Sequence, residues 1–147
     1  MYKIIITAVA IILLASCGKK NKKQYSYWKV NGVEYSSNNV TAEEGYMKPV
    51  CYISCQEKNS FTISFSIGEF PKNGEYPLAY FYTQNPDYAG LGICFDTVCY
   101  LVTSNNTAKV RASEQNGKAQ FKVDSVRMVN FKNPLDSIWV DGVFNEP

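Results

Sequence analysis

The chain has 147 residues with no histidine, and 46% of them are hydrophobic. That length makes one domain with a core large enough to stand without metal, and the missing histidine removes every Ser-His or Cys-His nucleophilic pair. The formal net charge of +2 is misleading: from Gln24 onward there are ten basic residues against thirteen acidic ones, a balance of −3. A weakly acidic body argues against nucleic acid, whose binders are expected to carry a basic face.

Residues 1–16 begin Met1, Tyr2, Lys3 and continue as an apolar or small run from Ile4 to Ala15, interrupted only by Thr7. A short positive start, an apolar core and small residues before a cut describe a secretory signal peptide. The run is shorter than the roughly 20 apolar residues that span a bilayer. Leu14-Ala15-Ser16-Cys17 resembles the lipobox of bacterial lipoproteins. That resemblance implies that Cys17 becomes the mature N-terminus and carries acyl chains. The expected product is an exported protein held to a membrane by its N-terminal lipid. Gly18 follows, not the Asp that retains enteric lipoproteins at the inner membrane, so the resemblance implies the outer membrane. With lysines, not acids, after Cys17, the periplasmic leaflet is expected over the cell surface.

Residues 17–24 form a basic tether with Lys19, Lys20, Lys22 and Lys23 and no apolar residue after Cys17. It reads as a solvated spacer that can also meet anionic headgroups, each charge contributing about 1 kcal/mol near the surface. Residues 25–147 then read as a single all-β domain.

Three Asn-Gly pairs, Asn31-Gly32, Asn73-Gly74 and Asn116-Gly117, are strong hairpin signals, because a type I′ turn requires positive φ at both central positions. A turn at Asn31-Gly32 pairs Val30 with Val33, Lys29 with Glu34 and Trp28 with Tyr35. The turn at Asn116-Gly117 pairs Ala112 with Phe121, Val110 with Val123 and Lys109 with Asp124, and sets Arg111 against Lys122. A change of apolar phase after Val123 predicts a bulge near Ser125. Phe61, Ile63, Phe65 and Ile67 alternate with polar residues, as do Tyr76, Leu78, Tyr80 and Tyr82 with their neighbours, and Ile138, Val140 and Phe144 mark the inward side of a last strand. Pro71 and Pro77 suggest a sheet edge. The expected fold is an antiparallel β-sandwich, immunoglobulin-like or similar, with a closed β-barrel as the alternative.

The first hairpin Trp28–Ser37, the central Asn73–Leu78 and the terminal Ile138–Pro147, after a lipobox, are similar to small uncharacterised Bacteroidota lipoproteins. Those open with an aromatic-x-x-Asn-Gly strand pair and close on a Gly-x-Phe strand. The resemblance covers both ends of the mature chain and implies an envelope location and a β fold, with no activity attached.

With Cys17 lipidated, Cys51, Cys55, Cys94 and Cys99 remain. An even number in an exported domain reads as two disulfides with three possible pairings. If Asp96-Thr97 is a tight turn, Cys94 faces Cys99 within bridging distance. Cys51 and Cys55, if on one strand, sit on the same face about 13 Å apart and cannot join. The spacings C-x3-C and C-x4-C without histidine do not fit zinc, and C-x-x-C is absent, so neither metal nor cofactor is expected. Carboxylate pairs for glycosidic chemistry, Glu43 with Glu44 or Glu57, Glu69 and Asp87, are formally available. Thirteen scattered acids are the ordinary content of a soluble surface, and the chain reads as no enzyme.

The Tyr-rich segment offers the one ligand- or partner-binding face visible in the residues: Tyr76, Tyr80, Tyr82, Gln84, Asn85, Asp87 and Tyr88. The simplest reading is a strand with aromatics buried on both sides. Beside it stand a protein interface, where Tyr is enriched, and a sugar site, with rings to stack and amides and Asp87 to bind hydroxyls. Finally, Asp96-Thr97-Val98, Asp124-Ser125-Val126 and Asp136-Ser137-Ile138 resemble the O-glycosylation motif of exported Bacteroidota proteins, with Thr97, Ser125 and Ser137 as acceptors. Ordinary turn chemistry explains the same triplets. The sequence thus points to a lipid-anchored envelope protein that binds another envelope protein, or alternatively carbohydrate, without catalysis.

Overall fold

The computed structural model describes residues 25–44, 50–80, 84–103 and 105–147. The leader, Cys17, the lysine-rich tether and Tyr82 lie outside them. The described residues form eleven strands and no helix: β1 (Ser26–Val30), β2 (Val33–Ser37), β3 (Val40–Glu44), β4 (Cys51–Cys55), β5 (Asn59–Phe65), β6 (Gly74–Ala79), β7 (Ala89–Phe95), β8 (Val98–Val102), β9 (Lys109–Gln115), β10 (Lys118–Asn130) and β11 (Ser137–Asn145). They make one sheet in the order β2-β1-β11-β10-β9-β6-β7-β5-β4-β3, with β8 joined to both β10 and β7.

The sheet folds over so that its halves face one another, as in a sandwich. Phe61 of β5 lies 5.1 Å from Trp28 of β1 and 4.6 Å from Phe144 of β11, and Phe65 lies 4.7 Å from Phe121 of β10, ring centroid to centroid. Each of these side chains is almost wholly removed from water, which stabilises the fold by roughly 1.5–3 kcal/mol apiece. Hydrogen bonding also runs in a closed circuit, β10-β9-β6-β7-β8 and back to β10. The free edges among the described strands are β2 and β3.

The thirteen-residue β10 makes the circuit possible. Its first half pairs with β9, and Met128–Asn130 pair with β8. Between them the register against β11 shifts at Val123/Val126, and Ser125 adopts φ 49. This is the bulge expected near Ser125, and it bends the strand from one half of the sandwich toward the other. The bend ends the β9 ladder at Arg111↔Lys122. The expected pairs Val110–Val123 and Lys109–Asp124 therefore do not form; Val110 and Lys109 are paired on their other side, with Tyr76 and Pro77 of β6.

The hairpin at Asn31-Gly32 has the expected register, with Lys29 and Glu34 joined at 2.8 Å. Asn73-Gly74 is no hairpin: Gly74, at φ 101, opens β6, whose partners are β9 and β7. Pro77 lies within this interior strand, not on an edge. It is tolerated because the ladder changes hands there, with the next amide, Leu78 N–H, donating to Ala108 at 2.9 Å. The expectation of a purely antiparallel sheet also needs correction. Leu78↔Ala89 and Ala79↔Gly90 pair in parallel.

Cys94 and Cys99 face each other across the Asp96-Thr97 turn and form a disulfide with Cα atoms 4.1 Å apart. The described residues contain no second disulfide. Cys51 and Cys55 lie on the same face of β4 opposite Phe65 and Phe61, and their thiols are buried in the core. A strand separates such residues by far more than a disulfide can bridge.

The last strand pairs with the first, setting Gly142 opposite Trp28. A Cβ on Gly142 would stand 2.8 Å from Phe144 Cζ and 3.0 Å from Trp28 Cβ. The Gly142-Val143-Phe144 triplet is thus a packing device, in which the missing side chain admits two rings. The Trp28 indole N–H has no hydrogen-bond partner among the described residues and stands edge-on to Phe61.

Candidate functional site

Four of the seven Tyr-segment residues come together. Tyr76, Asn85, Asp87 and Tyr88, with Asn73, Gly74, Glu75 and Pro77, line a shallow open groove of about 520 Å³. Tyr76 is fixed from below: its ring stands edge-on to Phe65 at 5.4 Å and lies over Gly74, 3.5 Å from where a Cβ would sit. Only one side of this ring is left to the groove. The opposite wall is a short turn in which Asn85 Oδ1 accepts from Asp87 N–H at 2.9 Å and Asn85 O from Tyr88 N–H at 3.2 Å. Tyr88 is 36% exposed and Tyr80 51%. Tyr80 and Gln84 are exposed but do not line the groove, and Tyr82 lies outside the described residues.

Of the two carboxylates on the groove, Glu75 and Asp87, Glu75 is held in ion pairs. Lys109 hydrogen-bonds its carboxylate at 3.0 Å and Arg111 lies 3.5 Å away, so Lys109 first and Arg111 second hold Glu75 below the usual carboxylate range. Arg111 also reaches Asp124 at 3.6 Å, and Lys122 reaches it at 3.1 Å. Asp124 thereby neutralises the Arg111–Lys122 like-charge pair that the hairpin register enforces.

A second groove of about 360 Å³ gathers Glu43, Glu69 and Glu146 beside Ala42, Cys51 and Phe70. Of the acids proposed for glycosidic work, it unites Glu43 and Glu69 but not Asp87. Two of its three carboxylates are committed to the framework. Tyr52 donates to Glu43 at 2.5 Å, and Ala119 N–H donates to Glu146 at 2.7 Å. Lys72 also borders this groove, but its ammonium binds Gly117 O at 2.8 Å.

The three Asp-Ser/Thr-aliphatic triplets occupy three kinds of turn. Thr97 is exposed at the tip of the β7–β8 hairpin, and Ser125 is exposed at the bulge, its N–H held by Asp141 at 2.8 Å. Ser137 is half-buried at the start of β11, with Arg127 donating to its hydroxyl at 3.4 Å.

Sequence reasoning missed one exposed apolar surface. Trp139, Phe131 and Leu135 are 52%, 62% and 94% exposed. The signal for Trp139 was available: buried Ile138 and Val140 force the residue between them outward. Phe131 and Leu135 sit in a loop with no alternation to read.

No protein-family model, no curated protein and no solved structure matches this chain.

Proposed function

We propose that this chain is a lipid-anchored cell-envelope protein whose β domain is a non-catalytic protein-interaction module. The reading of the address rests on the leader and Leu14-Ala15-Ser16-Cys17, with acyl chains on Cys17 and the outer membrane as destination. The interaction reading is supported by one observation above all: a domain with a fully packed aromatic core still leaves Tyr27, Tyr80, Phe131, Leu135 and Trp139 more than half exposed. Aromatic side chains left in water at this density are the compositional mark of a protein interface.

The Tyr76–Tyr88 groove supports a second reading, the binding of a carbohydrate or similar small ligand. Two tyrosine rings, two asparagine side chains and Asp87 converge there, which is the mixture that sugar recognition uses. O-glycans on the exposed Thr97 and Ser125 fit either reading, and intact-protein mass resolves them.

The deciding experiment is crosslinking in the native envelope followed by recovery through a tag after Pro147. A stoichiometric protein partner supports the module. Recovery of the chain alone, with glycan binding abolished by Tyr88→Ala, transfers the function to the groove.

A further inference from the structure

Exposed Phe131, Leu135 and Trp139 and, among the described residues, the cations without an acidic or carbonyl partner fall in one place. On the outer face, Val129 of β10 lies between Leu101 of β8 and Ser137 of β11, and Arg127 lies opposite Trp139. Val129 is therefore diagonal to Trp139, within reach of a large ring. β10 continues into Phe131, whose N–H is held by Cys99 O at 3.0 Å. The connecting loop closes through Asn130 N–H to Asp136 O at 2.9 Å and Asp136 N–H to Asn133 O at 2.9 Å, leaving Leu135 outside. Leu101, Val129, Phe131, Leu135 and Trp139 so form an apolar corner on a firm backbone.

The charges around it are distinctive. Lys29, Lys58, Lys72, Lys109, Arg111 and Lys122 each contact a carboxylate, and Lys118 donates to Pro147 O. Among the described residues, the cations left without an acidic or carbonyl partner are Arg127 and Lys132. Arg127 touches only the Ser137 hydroxyl, and Lys132 follows Phe131 in the exposed loop. Both border the apolar corner.

The corner's position disfavours a lipid surface as its occupant. The chain enters the fold at Tyr25, whose carbonyl accepts from Asn145 Nδ2 at 2.6 Å. Trp139 lies near the other end of β11, a strand of nine residues, about 30 Å long. Under the proposed N-terminal anchoring, this corner lies at the end of β11 away from where the chain enters the fold.

We infer that the Leu101–Val129–Phe131–Trp139 corner, flanked by Arg127 and Lys132, docks a protein segment that combines apolar side chains with carboxylates. This rests on the interaction-module reading and gives it a place and a partner chemistry. Trp and Arg are the residue types that dominate such interfaces energetically, and the two cations supply the complementary charge that steers an acidic partner.

The test presents the full chain, extracted in detergent and held by a tag after Pro147, to a displayed library of random peptides. Enriched peptides are expected to carry aliphatic or aromatic residues together with Asp or Glu. Trp139→Ala, and separately Arg127→Glu with Lys132→Glu, should each weaken their binding by about tenfold or more. Glu114→Gln, on the exposed β9–β10 hairpin, should leave it unchanged. All these positions are on the surface, and an unchanged near-ultraviolet circular dichroism spectrum certifies each fold. Peptides that ignore Trp139 and Arg127 but depend on Tyr80 and Tyr88 overturn this placement while leaving the interaction module intact. Glycan binding lost with Trp139→Ala overturns the protein partner in favour of a sugar. If no peptide is enriched, and a photoreactive phenylalanine analogue at position 131 or 139 captures no protein in the envelope, both the placement and the module fail.

Discussion

Asn31 and Trp139, 108 residues apart, are clasped by two hydrogen bonds: Asn31 N–H donates to Trp139 O, and Trp139 N–H donates to Asn31 Oδ1, each at 2.9 Å. The asparagine has two duties. Its backbone takes the positive φ that the first hairpin turn requires, and its side chain extends the β1–β11 ladder by one bond at the foot of the exposed tryptophan. Asn31→Gly keeps the turn and removes the acceptor, so it should cost about 1 kcal/mol, the usual net worth of such a bond. Asn31→Asp, which keeps the acceptor, should cost less. Urea midpoints of the two variants separate turn from clasp, and equal losses would show that the clasp contributes nothing.

Gly142→Ala is expected to destabilise the domain by about 1–3 kcal/mol, the range for overpacking a close-packed core. The added carbon must displace the Phe144 ring or the Trp28 Cβ. Thermal unfolding reads the loss. Combining the change with Phe144→Leu should recover part of it, since the nearest obstruction is then gone.

Thiol counting checks the disulfide assignment. Native protein should resist maleimide at Cys51 and Cys55, both buried, and should gain two reactive thiols in denaturant and four after reduction. Cys94→Ser with Cys99→Ser should lower stability by about 2 kcal/mol, the chain-entropy expectation for so short a loop. Four reactive thiols before reduction would refute the bridge.

Tyr100 should make the domain alkali-sensitive. Burial, and then the hydrogen bond to Asp136 Oδ2 at 2.9 Å, raise its hydroxyl above the ordinary value of 10.0. Because the folded state holds this proton more tightly than the unfolded one, the contribution is constant below that value and is lost as pH rises past it. Tyr100→Phe should flatten stability against pH across the tyrosine range. A wild-type urea midpoint that does not fall there would contradict the expectation.

The residues reveal the fold wherever local chemistry decides it. Asn31-Gly32 and Asn116-Gly117 fix their registers because the turn type dictates which residues face each other. The bulge at Ser125 shows as a slip in apolar phase, and Cys94–Cys99 follows from a two-residue turn. Asn73-Gly74 misleads because the same dipeptide serves wherever φ is positive, and only distant β9 shows that no hairpin forms there. The parallel contact of β6 with β7 and the placing of Pro77 inside the sheet depend on chain return and non-local pairing, which no window of sequence contains. The same limit applies to the surface. The Tyr76–Tyr88 groove is legible as one continuous segment, whereas the Trp139 corner assembles from three strands and a loop.

Pairing β1 with β11 makes the first strand of this sheet wait for its eleventh. Until Ser137–Asn145 is available, the β1–β2 hairpin has no neighbour, and the Trp28 face has nothing to close over it on that side. A chain that emerges N-terminus first therefore leaves its earliest aromatic surface uncovered until that strand arrives. The nine residues of β11 act as a completeness check, and a chain truncated before Ser137 would leave β1 unpaired on that side and open to any factor that seeks unpaired strands.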